Sequence, residues 1–148
     1  MESNSKVVTF VVIMTVIVAG VLASIREITK EGAAQNEAVF NKRAILQSVN
    51  EQIEGDVADL SDEQVLGIFD KEIEQITLNM SGETVADVKA EDVDMAKEEK
   101  KAEEDRLLPL FVFNSAKSEK FYILSVRGNG LWDKIWGNVA LESDAVTV

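Results

Sequence analysis

Residues Val7 to Ile25 read VVTFVVIMTVIVAGVLASI, nineteen positions without a charged side chain. As an α-helix rising ~1.5 Å per residue, the run is about 28 Å long, close to the ~30 Å hydrocarbon thickness of a bilayer. Its many Val and Ile residues would favour a strand in water. In lipid every backbone amide must be satisfied within the segment, and a lone segment achieves that only as a helix. Thr9, Thr15 and Ser24 carry hydroxyls that can bond back to helix carbonyls. The expectation is a single, uncleaved membrane helix over residues 7–25. The competing reading is a cleaved secretory signal, with Lys6 as its basic end and Val21-Leu22-Ala23 as its cleavage site, although its apolar stretch is longer than usual.

Flanking charge gives no clean orientation. Lys6 and the α-amino group lie on one side; Arg26, Lys30, Lys42 and Arg43 lie on the other, interspersed with Glu27, Glu31 and Glu37.

Beyond the apolar run the chain is acidic. Its 148 residues hold 15 Lys and Arg against 27 Asp and Glu, a net charge of −12. Nucleic-acid binding requires phosphates to be neutralised, so DNA and RNA are excluded as expected partners. The chain has neither Cys nor His. That removes disulfides, thiolate zinc sites, iron–sulfur clusters, Ser-His-Asp catalysis and His-ligated haem. Chemistry is left to carboxylates, hydroxyls, backbone amides or a borrowed organic cofactor, and no metal site is expected.

The spacing of Ile28, Ala34, Ala38, Ile45, Val49 and Ile53 predicts that helix continues outward from the apolar run, with a break near Gly32. Ser61-Asp62-Glu63-Gln64 is a capping-box start, a hydroxyl followed three residues later by an amide. Val65, Leu66, Phe69, Ile73 and Ile76 then predict a short amphipathic helix over 62–76. Ser81-Gly82 marks a turn. Residues 91–106 carry eight acidic and four basic side chains, read as an exposed helix or a mobile insertion.

The texture changes after residue 106. Leu110–Phe113 and Phe121–Val126 are compact apolar runs joined by NSAKSEK, a connection of hairpin size. Ile135–Leu141 reads as a further strand, and Ala145–Val148 as a strand cut short, suggesting a chain incomplete at its C-terminus. The fold class expected is α+β, with an N-terminal helix and a core built in the last third.

Between two of these strands stands Gly128-Asn129-Gly130-Leu131-Trp132, followed by Trp136-Gly137-Asn138-Val139-Ala140-Leu141. The glycines imply a backbone needing unusual dihedrals or close approach beside an indole. A third glycine and a βαβ unit are missing, so this is not a dinucleotide fingerprint. The segment resembles the glycine–leucine–tryptophan stretch of the FMN-binding domain family, and within it the C subunits of Na+-translocating NADH:quinone reductases. Those subunits likewise begin with one membrane helix leading to an Ile-Leu pair, here Ile45-Leu46. The G subunits of a related electron-transport complex are a near alternative.

The resemblance implies residues 1–6 in the cytoplasm, 7–25 in a bacterial inner membrane, and 26–148 as an extracytoplasmic, periplasmic FMN-binding-type domain. It implies FMN as an electron relay, with the other reductase subunits and the membrane as partners, and Gly128, Gly130, Leu131 and Trp132 as the flavin environment. In the family the flavin phosphate is esterified to the threonine of a Ser-Gly-Ala-Thr segment. Ser81-Gly82-Glu83-Thr84 precedes the glycine loop and carries a carboxylate where Ala belongs, which would repel a phosphodiester. Thr84 is therefore read as a surface turn, and no covalent acceptor is expected in this chain. A cofactor-free acidic interaction module on the same anchor is the alternative from another class.

Overall fold

The computed structural model describes residues 2–115, 119–144 and 146–148. The chain divides into two compact units, residues 1–38 and 39–148.

Helix α1 (Glu2–Gln47) makes up most of the first unit and enters the second. It passes through Gly32 without the expected break. Gly32 has open space around its Cα, so neither a close approach nor a turn calls for a glycine there. Among the described residues, α1 is the one helix long and apolar enough to cross a membrane. Its Val, Ile, Leu and Phe side chains between residues 7 and 25 are exposed on all sides. Thr15 donates to the Val11 carbonyl at 2.8 Å and Ser24 to that of Gly20 at 2.9 Å, so these hydroxyls need no solvent.

The second unit is α+β. Its four strands form one antiparallel sheet in sequence order: β1 (Ile73–Asn79), β2 (Leu107–Asn114), β3 (Lys120–Asn129) and β4 (Lys134–Leu141). The two apolar runs of the 107–129 region are β2 and β3, as their hairpin spacing predicts, with Phe111 opposite Ile123. Helix α2 (Asp62–Glu72) starts at the predicted capping box: Gln64 N–H donates to Ser61 Oγ at 3.3 Å, and Ser61 N–H to Gln64 Oε1 at 2.9 Å.

Three expectations need correction. The helix over 62–76 stops at Glu72, and Ile73 and Ile76 belong to β1, where they pair with Phe113 and Leu110. Phe69, Ile73 and Ile76 are spaced for one helix face, but in β1 Ile73 faces the core while Ile76, an odd number of residues on, faces the other side of the sheet. Ile73 and Thr77 point together into the core. The apolar stripe of the outer α1 segment is also different. Ile28, Ala34 and Ala38 are exposed, and the helix buries only its last turns, through Ile45 and Leu46. Val49 follows in the turn that ends the helix, and Ile53 is half-buried beyond it.

The third correction is the tail. Among its described residues, 146–148 are not in a strand; Asp144 instead accepts from the amides of Val146 and Thr147, both at 2.9 Å. A local carboxylate turn there competes with strand pairing.

The core lies on one face of the sheet. Phe111, Phe113, Ile73 and Ile123 meet Val65 and Phe69 of α2, Leu46 of α1 and Val57 of the connecting turn. Phe69 and Phe111 meet edge to face, 6.0 Å between centroids. Arg43 ties the connection down: its Nη1 donates to the carbonyls of Val57 and Leu60, both at 2.8 Å, and its Nη2 pairs with Asp62 at 2.9 Å.

The opposite face is also apolar. Ile76, Leu78, Leu108, Leu110, Tyr122, Leu124, Val126 and Ile135 alternate with the core residues by strand register. Leu124, Val126 and Ile135 are exposed. Antiparallel sheets with a solvated outer face normally carry polar residues there.

Candidate functional site

The glycine segment is a β-hairpin tip. Strand β3 ends at Asn129, β4 begins at Lys134, and the Gly130 amide donates to the Asp133 carbonyl at 2.8 Å. The Asp133 carboxylate accepts from the Lys134 amide at 2.7 Å, stiffening the turn. A Cβ on Gly130 would lie 2.7 Å from the Asp133 carbonyl oxygen and 2.9 Å from Ile135 Cγ2. This is the close approach expected of the motif, and it is made by the hairpin's own atoms. Gly128 lies in β3, where an added Cβ would meet only Ile135 Cγ1 at 3.9 Å. Neither glycine has positive φ; that conformation belongs to Gly55 and Gly82.

Leu131 and Trp132 stand at the tip, 89% and 94% exposed. The hairpin brings all four candidate residues together but does not enclose them. An isoalloxazine needs two walls and a holder for its phosphate. The tip presents the Trp132 indole and its Leu131 neighbour as one apolar surface open to solvent. An open groove of about 530 Å3 lies at the other end of β4, between the 47–52 turn and Phe121, Asn138, Ala140 and Glu142.

Thr84 sits in the turn that closes β1. Asn79 Oδ1 accepts from the amides of Ser81 and Glu83, its Nδ2 donates to Glu83 Oε2, and Gly82 takes φ +80°. The exposed Thr84 bridges to Leu78. The expected surface turn is present.

The charged segment 91–106 is neither a continuous helix nor an insertion without contacts. It folds as short helical turns at Ala90–Asp92, Met95–Glu98 and Glu103–Asp105. Three carboxylates anchor it to distant elements. Glu91 pairs with Lys42 of α1 at 3.1 Å. The nearly buried Glu98 accepts from the Leu107 amide at 3.0 Å and pairs with Lys101 at 2.9 Å. Glu99 reaches across to Lys134 Nζ at 2.6 Å and to Arg127 Nε at 3.7 Å. Sequence spacing offers the Glu98–Lys101 pair, three residues apart, but not the others, because Lys42, Leu107, Arg127 and Lys134 lie outside the run.

These contacts shift ionisation. The Lys101 ammonium and then the Leu107 amide hold the Glu98 carboxyl below the usual carboxylate range. Lys134, outweighing partial burial, does the same for Glu99, with help from Arg127 and Arg106. At Glu91, burial pushes the carboxyl up, and the Lys42 and Gln75 hydrogen bonds together with the Lys42 and Lys89 charges bring it below its ordinary value. Lys42 itself lies 4.7 Å above the Phe69 ring.

No protein-family model matches the chain, and no curated protein matches it.

Proposed function

We propose that the chain is a single-pass, membrane-anchored subunit of a larger electron-transfer assembly, of the kind formed by the C subunits of Na+-translocating NADH:quinone reductases. Its α1 helix spans the membrane, and its α+β unit lies outside the cytoplasm. Its task is to pass electrons by way of FMN while the assembly oxidises NADH, reduces quinone and exports Na+. The observation that carries this reading is the hairpin tip, closed by the Gly130–Asp133 hydrogen bond, presenting Leu131 and Trp132 to solvent. An exposed apolar pair on a pinned turn is a surface for another body to cover. The aliphatic outer sheet face supports the same view, since an isolated soluble domain gains nothing from exposing it.

Under this reading the tip forms one wall of a flavin site, with Gly130 fixing the turn and Trp132 offering its indole face. FMN supplies the one-electron chemistry when bound. The second wall and the phosphate attachment come from outside the tip. The lack of His and Cys suits a site that adjusts a cofactor's surroundings without moving protons itself.

The test is capture of the full chain from detergent-solubilised membranes through an affinity tag. The expected product is a multi-subunit assembly with a flavin absorbance that bleaches on adding NADH. A colourless product would overturn the reading.

The second reading, an acidic interaction module without cofactor, is favoured by the openness of the tip. Protein contact alone would cover Leu131 and Trp132. It expects capture of partners without flavin.

A further inference from the structure

We infer that the outer edge of β4 is a docking site for an extended segment of another polypeptide, added as a further strand and carrying a basic side chain beside Glu142. The sheet has β1 at one edge and β4 at the other. The edge of β1 is closed by the chain itself. The Val85 amide donates to the Thr77 carbonyl at 2.8 Å, the Asn79 amide to that of Glu83 at 3.0 Å, and Thr84 bridges to Leu78. The edge of β4 is open. The hydrogen bond from the Gly130 amide to the Asp133 carbonyl sets the alternation along the hairpin. By register, Ile135, Gly137 and Val139 turn their amides and carbonyls to β3, whereas Trp136, Asn138 and Ala140 turn theirs outward. Glu142 is in the same phase, and its amide donates to the Thr147 carbonyl at 2.8 Å. Among the described residues, this is the one backbone bond made on that edge.

A row of unpaired amides and carbonyls is matched by another extended backbone and by little else. Thr147 already makes such a contact at the end of the row. The groove of about 530 Å3 runs along the core side of the same edge, lined by Asn138, Ala140 and Glu142 of β4, by Phe121 and by the 47–52 turn. Ala140 pairs with the buried Ile123, so these β4 side chains lie on the core face. A strand added at the usual spacing of roughly 4.8 Å therefore drops its inward side chains into the groove. Its outward side chains continue the apolar face of Ile135, Val139 and Leu141.

Charge selects the ends of the segment. The residues lining the groove include the exposed Glu51 and Glu142, and neither Lys nor Arg. A basic side chain beside Glu142 is complementary, and an acidic one is repelled in a chain of net charge −12. Edge strands that must avoid partners are commonly blunted by charged side chains or proline. From Ile135 to Leu141, β4 carries neither. The inference needs no flavin and does not depend on the electron-relay reading.

The test uses the full chain in detergent and a short fluorescein-labelled peptide of alternating Val and Thr with Lys at both ends, followed by fluorescence anisotropy and sedimentation. The expected result is saturable binding that disappears when every backbone amide of the peptide is methylated. Asn138→Pro removes an outward N–H and leaves the β3–β4 ladder its bonds; it weakens binding on the order of ten-fold. Glu51→Lys with Glu142→Lys moves the preference to the same peptide with Glu at both ends, a gain that an unfolded variant cannot show. Absence of saturable binding to the unsubstituted chain overturns the inference, and so does equal binding of the methylated peptide. A chain that sediments as a dimer until the peptide is added holds a second copy on this edge, which overturns the assignment to a foreign strand. Failure here leaves the flavin content of the captured assembly as the separate test of the electron-relay reading.

Discussion

The Leu107 amide, at the start of β2, donates to Glu98 Oε2 across 3.0 Å. This bond joins the end of a charge-rich turn to the sheet and converts a run of acids into ordered structure. Lys101 neutralises the same carboxylate at 2.9 Å. Removing it with Glu98→Ala leaves the Leu107 amide without its acceptor. The expected loss is about 1–2 kcal/mol in urea unfolding, whereas Glu103→Ala, in an exposed turn, changes the midpoint little.

Glu98 and Glu91 both have lowered carboxyl pKa values in the folded state, against ordinary values of 4.5. Their contribution to stability is present above the unfolded-state value and is lost as pH falls through the folded-state values. The unfolding midpoint should therefore hold near neutral pH and decline below about 4.5. A chain with Glu91→Gln and Glu98→Gln should start from a lower midpoint and lose less on acidification. An equal acid slope in the two chains would contradict this assignment.

Gly130→Ala places a Cβ against the Asp133 carbonyl at 2.7 Å, so the hairpin tip must shift. The expected cost is about 1–3 kcal/mol by analogy with overpacking. Gly128→Ala meets only an ordinary contact and should be much milder. Thermal unfolding of the two variants distinguishes them, and equal costs would contradict the close-approach argument.

Arg43 makes its three contacts with a planar fork that an ammonium cannot reproduce. Arg43→Lys should destabilise the second unit by about 1–2 kcal/mol while leaving its charge unchanged. Raising the salt concentration should reproduce little of that loss, because two of the three acceptors are backbone carbonyls.

Val126 and Ile135 lie on the outer sheet face and are exposed. Val126→Lys with Ile135→Lys should leave urea unfolding of the chain alone nearly unchanged, within about 0.5 kcal/mol, as for surface positions generally. Under the proposed function the same pair should prevent assembly with partner subunits, read as loss of co-purifying proteins.

Much of the fold could be read locally. The charge-free run announced α1, Ser61 with Gln64 announced the start of α2, and the apolar runs around NSAKSEK announced the β2–β3 hairpin. Errors arose where one pattern serves two structures. Ile73 and Ile76 continue the helical spacing of Phe69, and only pairing with β2 makes them a strand with the two on opposite faces. Order in the 91–106 segment was hidden because Glu91, Glu98 and Glu99 find their partners at Lys42, Leu107 and Lys134, which sequence spacing does not connect. The close approach at Gly130 was legible in its motif. The exposure of Trp132 was not, since an indole beside glycines fits a core as readily as an open tip.

The central claim is that this chain serves electron flow from NADH to quinone. Its most direct measurement is quinone reduction by the assembly captured through the tagged chain, with NADH as donor and Na+ varied. The expected result is NADH-driven quinone reduction stimulated by Na+ and lost with Leu131→Ser and Trp132→Ser together. An assembly that reduces no quinone, or whose rate ignores both Na+ and the hairpin substitutions, would contradict the account.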